Sequence, residues 1–198
     1  MGIIVYMIHK KKDGDGMNEI LKELKGKTAE DLLAKIDTTK PPVDIKKLVE
    51  TLGISVRKKD FGDIEKLAKA REGTILGAAI SKGNNLTIFY SDKATYNRMR
   101  FTIAHEIAHC CLHSDDLEVK HVELRTDADN EHEQEANRFA GELLVPKKSL
   151  DKEYEKFIIP SLKTLAEIFD VSVNVMAARL DYLGYSYMKD AQLEKEGP

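Results

Sequence analysis

Residues 99–113, MRFTIAHEIAHCCLH, carry the pattern His-Glu-x-x-His inside an apolar run. His105 and His109 are four residues apart, so on a helix both imidazoles lie on one face, one above the other. Two such nitrogens supply half of a tetrahedral zinc site. Glu106 follows the first histidine, where a carboxylate can accept a proton from a metal-activated water molecule. The stretch therefore predicts a largely buried helix that holds a zinc ion and a general base.

A catalytic zinc site needs a third protein ligand and leaves its fourth position open to water. One arrangement, HExxHxxGxxH, adds a ligand directly after a glycine turn. Here Leu112 stands at the glycine position and Asp115 at the last position. Because leucine does not favour the chain reversal that glycine allows, Asp115 is the less favoured candidate. Without a metal, the two histidines would be core residues that need other polar partners.

A second helix, predicted over about residues 131–144 and ended by Pro146, offers the other candidates. Its apolar face is formed by Ala136, Phe139, Ala140, Leu143 and Leu144. At roughly 100° per residue, Glu133 falls within about 50° of the centre of that face, whereas Glu131 and Glu135 point away from it. An inward carboxylate is costly unless it is paired or bound to a metal. Glu133 is therefore predicted as the third ligand, and the other two as solvated residues of the first turn.

Four further residues are predicted to lie around this centre. Asn137, one turn beyond the candidate carboxylate, can hydrogen-bond a ligating histidine. On a continuous helix His113 would lie about 12 Å from His105 along the axis, so it is predicted as a capping, supporting or cleft residue rather than a ligand. His132 faces inward and is either a core histidine or a cleft residue. Tyr90 is one candidate for stabilising a tetrahedral oxyanion, a role that no motif assigns.

The composition indicates a folded globular protein: of 198 residues, 42% are hydrophobic and 33% charged, with a formal net charge of −3. This balance excludes a strongly basic nucleic-acid-binding surface. No apolar run is long enough to cross a bilayer, so no membrane association is expected. Cys110 and Cys111 are adjacent and are the only two cysteines, so no disulfide is expected. We therefore expect a cytoplasmic protein whose two thiols are small apolar residues of a buried helix rather than metal ligands.

The pattern along the chain predicts an α+β fold, mainly helical, with a small antiparallel β-sheet. The sheet is indicated by the strand ISVRKKD and by a hairpin, ILGAAIS and LTIFYS, around a Gly-Asn turn. Residues 1–16 are predicted to be an edge strand or a disordered leader, and residues 17–150 the main domain. Residues 151–198 are predicted to be a helical extension, in which two short helices, each begun at a serine cap, look like a helix-turn-helix.

Two sequence blocks, RFTIAHEIAHCCLH at 100–113 and EQEANRFAGELLVP at 133–146, resemble the ImmA/IrrE family of metallopeptidases. The family pattern reads approximately R-F-T-x-A-H-E-x-x-H-x-x-x-H, followed by E-x-x-A-N-x-F-A-x-x-L-L-x-P, and both blocks match it in order. The resemblance extends over residues 38–146, through PPVDI and the hairpin. It implies a zincin-like core that is similar to thermolysin-like gluzincins.

The resemblance also implies roles for individual residues. His105, His109 and Glu133 would bind one zinc ion per chain, and Glu106 would be the catalytic base of a zinc metalloendopeptidase. Several members of the family cleave a helix-turn-helix transcriptional repressor and so release genes of a mobile element or a stress regulon, usually in a bacterium or a phage. The implied partner is therefore a protein substrate of this kind.

A competing hypothesis is a non-catalytic regulatory protein that binds DNA or protein and holds zinc only for structure. The two C-terminal helices carry Lys163 and Arg179 but also three acidic residues. A DNA-reading helix is normally more basic, so direct DNA binding is not expected. Glu106 also favours an enzyme, because a purely structural zinc site needs no base.

Overall fold

The chain forms four short strands and nine helices within residues 4–9, 18–67, 73, 75–114 and 131–189, the parts that a computed structural model describes. The strands are β1 (Ile4–His9), β2 (Ser55–Lys59), β3 (Ile75–Lys82) and β4 (Asn85–Ser91). The helices are α1 (Glu19–Leu24), α2 (Ala29–Leu33), α3 (Ile45–Thr51), α4 (Gly62–Leu67), α5 (Tyr96–Leu112), α6 (Glu131–Leu144), α7 (Lys147–Tyr154), α8 (Leu162–Ile168) and α9 (Val173–Leu183). The predicted α+β class, mainly helical with a small sheet, is confirmed.

The sheet has the strand order β1-β3-β4-β2 and is mixed rather than antiparallel. Only β3 and β4 pair antiparallel, because a two-residue turn at Gly83 and Asn84 joins them directly. β1 runs parallel to β3, and β2 runs parallel to β4. The prediction of an antiparallel sheet is therefore wrong for these two pairs. Each parallel pair is joined by a long connection that contains at least one helix and a further strand, and the local sequence pattern of a strand does not reveal the direction of so distant a partner.

One face of the sheet packs against α5. Leu86 and Ile88 of β4 belong to the main hydrophobic core, whereas the next residue, Phe89, packs with a second, small cluster on the opposite face. β3 lies directly against α5 at Gly77, where an added Cβ atom would lie 2.3 Å from Thr102 Cγ2. The absence of a side chain at Gly77 therefore sets the distance between the sheet and α5.

The two C-terminal helices contribute to the same core as α5 and α6. Ser161 and Ser172 cap α8 and α9 as predicted, each by accepting a hydrogen bond from a backbone N–H in the first turn. Phe169, Met176 and Leu180 are fully buried and belong to the main core. The apolar sides of both helices are therefore used within the chain.

Helix α7 is absent from the elements that the sequence pattern predicts. It begins directly after Pro146, whose backbone stands at the N-cap position, so the residue that ends α6 also starts the next helix. The predicted boundary between the main domain, residues 17–150, and the C-terminal extension, residues 151–198, falls inside α7. This division of the chain stays a prediction. Residues 115–130, which contain the alternative ligand Asp115, and most of the predicted leader at 1–16 lie outside the described residues.

Two glycine-to-alanine substitutions should have opposite effects on stability. Gly77→Ala forces a methyl group into Thr102, and overpacking of this kind lowers the free energy of unfolding by about 1–3 kcal/mol. Gly141→Ala in α6 meets nothing within 4 Å and should raise it by up to about 1 kcal/mol, because alanine favours a helix interior. Urea unfolding followed by circular dichroism, with chelator present so that metal binding does not contribute, measures both. A Gly77→Ala protein as stable as wild type would contradict the close packing of β3 on α5.

Candidate metal centre

Helix α5 carries the three polar side chains of the His-Glu-x-x-His motif into the core. Thr95 caps its N-terminus, and the helix is buried on nearly all sides from Arg100 onward. His105 and Glu106 are completely buried, and His109 is 5% exposed. Polar groups buried to this extent need partners, so the neighbouring elements decide what the three residues can do.

Helix α6 supplies a third side chain that could bind a metal ion. Glu133 in its first turn is 3% exposed, whereas Glu131 is exposed to solvent. His105 Nε2 lies 3.0 Å from His109 Nε2 and 3.3 Å from Glu133 Oε2. His109 Nε2 lies 3.2 Å from Glu133 Oε1. Within the described part of the chain, these three residues form the one group of His, Cys, Asp or Glu side chains that could hold a metal ion, with ligand atoms within 4.8 Å of one another.

Asn137 determines which nitrogen of His105 faces this group. Its side-chain Oδ1 lies 3.1 Å from His105 Nδ1. A carbonyl oxygen can only accept a hydrogen bond, so Nδ1 donates and carries the proton. In the neutral imidazole the lone pair is then on Nε2, directed towards His109 and Glu133. This is the tautomer that a metal ligand requires.

The donor set fits a divalent cation. Burial alone would raise the pKa of the Glu133 carboxyl, but the interactions with His105 and His109 lower it to about 2. Its buried Oε1 makes no well-oriented hydrogen bond, although His109 Nε2 lies 3.2 Å away. With a metal ion bound, this oxygen and the Nε2 atoms of both histidines would each direct a lone pair to it. Two imidazole nitrogens and one carboxylate oxygen are a three-ligand set of catalytic zinc sites, and imidazole also suits other transition metals.

Glu106 lies beside this group without belonging to it. Neither of its buried carboxylate oxygens has a hydrogen-bond partner. Burial raises its pKa well above the ordinary value, and the negative charge of Glu133 adds to the effect. The backbone N–H of Ala79 in β3 opposes the shift without forming a well-oriented hydrogen bond. Beside a bound cation, whose positive charge favours the ionised form, this carboxyl group would have the chemistry of a proton acceptor.

Two of the predicted surrounding residues stack on each other at the end of α5. His113 follows the last residue of the helix, and its ring lies 4.2 Å from the ring of His132 and 5.4 Å from that of His109. Its Nε2 is 3.6 Å from Glu135 Oε2. Burial and the neighbouring histidines lower the pKa of His113. The structure thus brings both residues next to the metal-binding group but not into it, and their roles stay predictions.

Tyr90 is placed on the sheet face that packs on α5. It pairs with Gly77 in the β3–β4 ladder, and directly opposed residues of an antiparallel pair point to the same face. An added Cβ on Gly77 would lie 2.9 Å from Glu106 Oε1, so this register position adjoins the candidate base. The oxyanion role of Tyr90 stays a prediction.

The two cysteines are on α5 but do not belong to the group of His105, His109 and Glu133. Cys110 and Cys111 are buried free thiols within the hydrophobic core. Burial raises the pKa of Cys110 well above its usual range and that of Cys111 to about 12. Both therefore stay protonated near neutral pH and pack as small apolar residues, as the sequence predicts.

The prediction of site residues misses Gly77 and Phe101. The ring of Phe101 lies 6.1 Å from that of His105, one turn earlier on α5. Gly77 lets β3 approach Glu106. An isolated glycine within a strand pattern is itself a signal of close backbone approach, so Gly77 could have been found from the sequence. No comparable signal distinguishes Phe101 from the other apolar residues of the helix.

Residues 49–181 match peptidase M78, the family of IrrE N-terminal-like domains. The chain belongs to the peptidase M78 family. The match covers more than half of the chain and confirms the resemblance that the two motif blocks indicate. The M78 region contains the whole metal-binding group together with Glu106, and it extends through α8 into α9. No curated protein matches the sequence significantly.

Removing the hydrogen-bond acceptor of His105 should weaken metal binding. Asn137→Ala is expected to lower zinc affinity about 10–100-fold, because the imidazole loses the partner that orients it. Asn137→Asp keeps an acceptor at the same position and should restore most of the affinity. Competition with a chromogenic chelator measures the dissociation constants, and the exposed Gln134→Ala serves as a control on the same helix. Equal affinities for Asn137→Ala and wild type would exclude this role.

Proposed function

We propose that this M78 family member is a zinc-dependent endopeptidase. The observation that carries the proposal is the buried convergence of His105, His109 and Glu133, with the unpaired carboxyl of Glu106 beside it. Three protein ligands leave one position of a tetrahedral zinc ion for substrate or water. A structural zinc site would be closed by a fourth protein ligand. It would also not need the carboxyl group of Glu106, whose burial costs the free energy of its desolvation.

The chain's own residues divide the chemistry between them. When bound, zinc would supply Lewis acidity to the scissile carbonyl group and to the attacking water. Glu106 accepts the proton of that water on a carboxylate oxygen and later delivers it to the leaving amine. Asn137 holds His105 in the tautomer that ligation requires. The packing of β3 on α5 at Gly77 keeps bulk water away from Glu106.

The proposed substrate is a protein, specifically a helix-turn-helix transcriptional repressor of a mobile element or stress regulon in a bacterium or phage. Membership of a peptidase family supports a protein substrate. The narrower substrate comes from the resemblance to the ImmA/IrrE metallopeptidases. The proposed location is the cytoplasm, which two unpaired buried cysteines support. Within the described residues, no helix has the length and apolar character needed to cross a membrane.

The contacts of Arg179 weigh against a DNA-binding role for the C-terminal helices. Arg179 is 6% exposed and donates a hydrogen bond from Nε to the backbone oxygen of Val145 at 3.2 Å. One of the two basic side chains named for this region is therefore held inside the fold. Salt-dependent binding to duplex DNA would revive the competing hypothesis.

Metal analysis of purified protein tests the ligand set. Wild type should contain about one zinc ion per chain, because three ligands suffice for a catalytic site. His109→Ala and Glu133→Ala should each lose most of it, whereas Glu131→Ala, an exposed residue of the same turn, should not. If Glu133→Ala retained zinc and His109→Ala lost it, the third ligand would lie elsewhere, with Asp115 the next candidate.

Substitution of the proposed base tests the chemistry separately from metal binding. Glu106→Gln should keep zinc but lower the turnover of cleaved peptides by about 10²–10⁴-fold, the usual contribution of general acid–base catalysis. A random peptide library, with products identified by mass spectrometry, provides the assay. Glu131→Gln is the matched control and should cleave like wild type. Normal turnover by a zinc-loaded Glu106→Gln protein would show that another group is the base.

A further inference from the structure

Strand β1 covers the part of β3 that adjoins the candidate base. An added Cβ on Gly77 would lie 2.9 Å from Glu106 Oε1, and the backbone N–H of Ala79 opposes the rise in the pKa of that carboxyl. In the parallel ladder, Val5 is the register partner of Gly77, and Met7 is the register partner of Ala79. β1 therefore pairs with β3 at the two residues that approach Glu106.

This pairing places the backbone of β1 close to the reacting group. Adjacent strands are about 4.8 Å apart, so the backbone at Val5 lies within about 9 Å of Glu106 Oε1. A peptide bond that is cleaved here must lie within reach of Glu106, either directly or through one water molecule. The residues that flank this bond would then pass through the region that β1 occupies.

An extended peptide can bind a sheet by adding a strand to an edge, where it pairs with the main-chain N–H and C=O groups. β3 has two neighbours in the sheet, β1 on one side and β4 on the other. β4 follows β3 directly through the hairpin turn and pairs with it from Gly77 to Lys82. A peptide could therefore reach the main-chain groups of β3 only on the side that β1 covers.

β1 is the neighbour of β3 that is easier to detach. Of the elements in the described structure, only β3 has extensive contacts with β1. Their pairing is parallel, which is slightly less stable per residue than antiparallel pairing. The register also shifts between Ile4 and Val5, so the ladder is irregular directly beside Gly77. Release of β1 would break one ladder and leave the β3–β4 hairpin intact.

We propose that β1 is an internal inhibitor, which occupies the edge of β3 beside Glu106 where an extended segment of the substrate would otherwise pair. This role rests on the proposed peptidase function. β1 and the substrate compete for the same backbone groups, so the fraction of molecules with a free edge sets the apparent affinity for substrate. The chain has low activity until a competing strand displaces β1.

A double proline variant removes β1 from the ladder. Proline has no backbone N–H and cannot donate a hydrogen bond. Successive N–H groups of a strand point to opposite sides, so Tyr6→Pro combined with Met7→Pro removes a donor that faces β3. Tyr6→Thr combined with Met7→Val is the matched control, because it keeps both N–H groups and the strand propensity. Zinc content and a thermal melt show whether each protein is folded.

The first test measures occupancy of the edge without hydrolysis. A fluorescein-labelled peptide of residues 2–12, GIIVYMIHKKK, is titrated into zinc-loaded proteins that carry Glu106→Gln, and fluorescence anisotropy is recorded. The double proline variant should bind this peptide at least about tenfold more tightly than the control or the protein with native β1. The reason is that a tethered strand competes at an effective concentration on the order of millimolar. Equal affinity in the three proteins would overturn the proposal.

The second test measures cleavage of library peptides. The double proline variant should lower KM about 10–100-fold, the change expected if β1 is paired in about 90–99% of molecules. The value of kcat should stay nearly the same, because β1 competes with substrate and supplies no reacting group. Addition of the peptide of residues 2–12 should raise KM again. A variant that is folded and zinc-loaded but has the KM of wild type would show that β1 is only a structural strand.

A reversible cross-link tests the same point without loss of β1. Tyr6 and Ala78 are register partners, and Ala78 packs in the small cluster on the sheet face away from α5. Tyr6→Cys combined with Ala78→Cys can therefore form a disulfide between the two strands. The oxidised protein should cleave at least about tenfold more slowly than the reduced protein, and reduction of the same sample should restore cleavage. Normal cleavage by the cross-linked protein would refute the inhibitory role.

The binding and cleavage results separate this inference from the proposed function. Tighter peptide binding by the double proline variant, without cleavage by any zinc-loaded protein, would show a displaceable strand and reject the peptidase on which the inhibitory role rests. Cleavage with equal KM in wild type, control and double proline variant would retain the peptidase and reject β1 as its inhibitor.

Discussion

The structure depends on three polar side chains, two histidines and a glutamate, that two helices bury next to one another. His105, His109 and Glu133 converge, and one carboxylate oxygen of this group has no hydrogen-bond partner. Such a cluster is unfavourable in a core unless a cation or added protons balance it. The packing of α5 on α6 is therefore tied to the chemistry of the centre. A bound metal would stabilise the fold and complete the site at the same time.

Small residues allow the two helices to approach closely enough for this convergence. Ala104 and Ala108 on α5 and Ala136 and Ala140 on α6 are all completely buried. On each helix the two alanines are one helical turn apart, as His105 and His109 are on α5. The sheet completes the enclosure from the other side, where Gly77 brings β3 against Glu106. Small residues therefore line the centre on α5, α6 and β3. Larger side chains in their place would move these elements apart, and the histidine and glutamate side chains would no longer meet.

The C-terminal helices show how a local pattern can be right about structure while leaving function open. Both serine caps and both helices are where the sequence places them. The sequence also suggests a helix-turn-helix, which is normally associated with DNA contact. In the fold, Met176 and Leu180 belong to the main core and Arg179 is held by a backbone carbonyl. Which side of a helix meets the rest of the protein depends on tertiary packing, and α9 uses its position beside α6 to form part of a cavity.

The sequence by itself determined the elements whose signals are local. The spacing of the two histidines, the helical face that selects Glu133 and the hairpin turn all follow from periodicity over a few residues. It could not determine the direction of the parallel strand pairs, which join segments far apart in the chain. The spacing also indicates that Asn137 can reach a ligating histidine, but only the tertiary structure decided that this histidine is His105 and that Gly141 faces open space rather than a neighbour. The physical reason is that hydrogen bonding and cavity volume depend on the relative placement of whole elements, which no local pattern encodes.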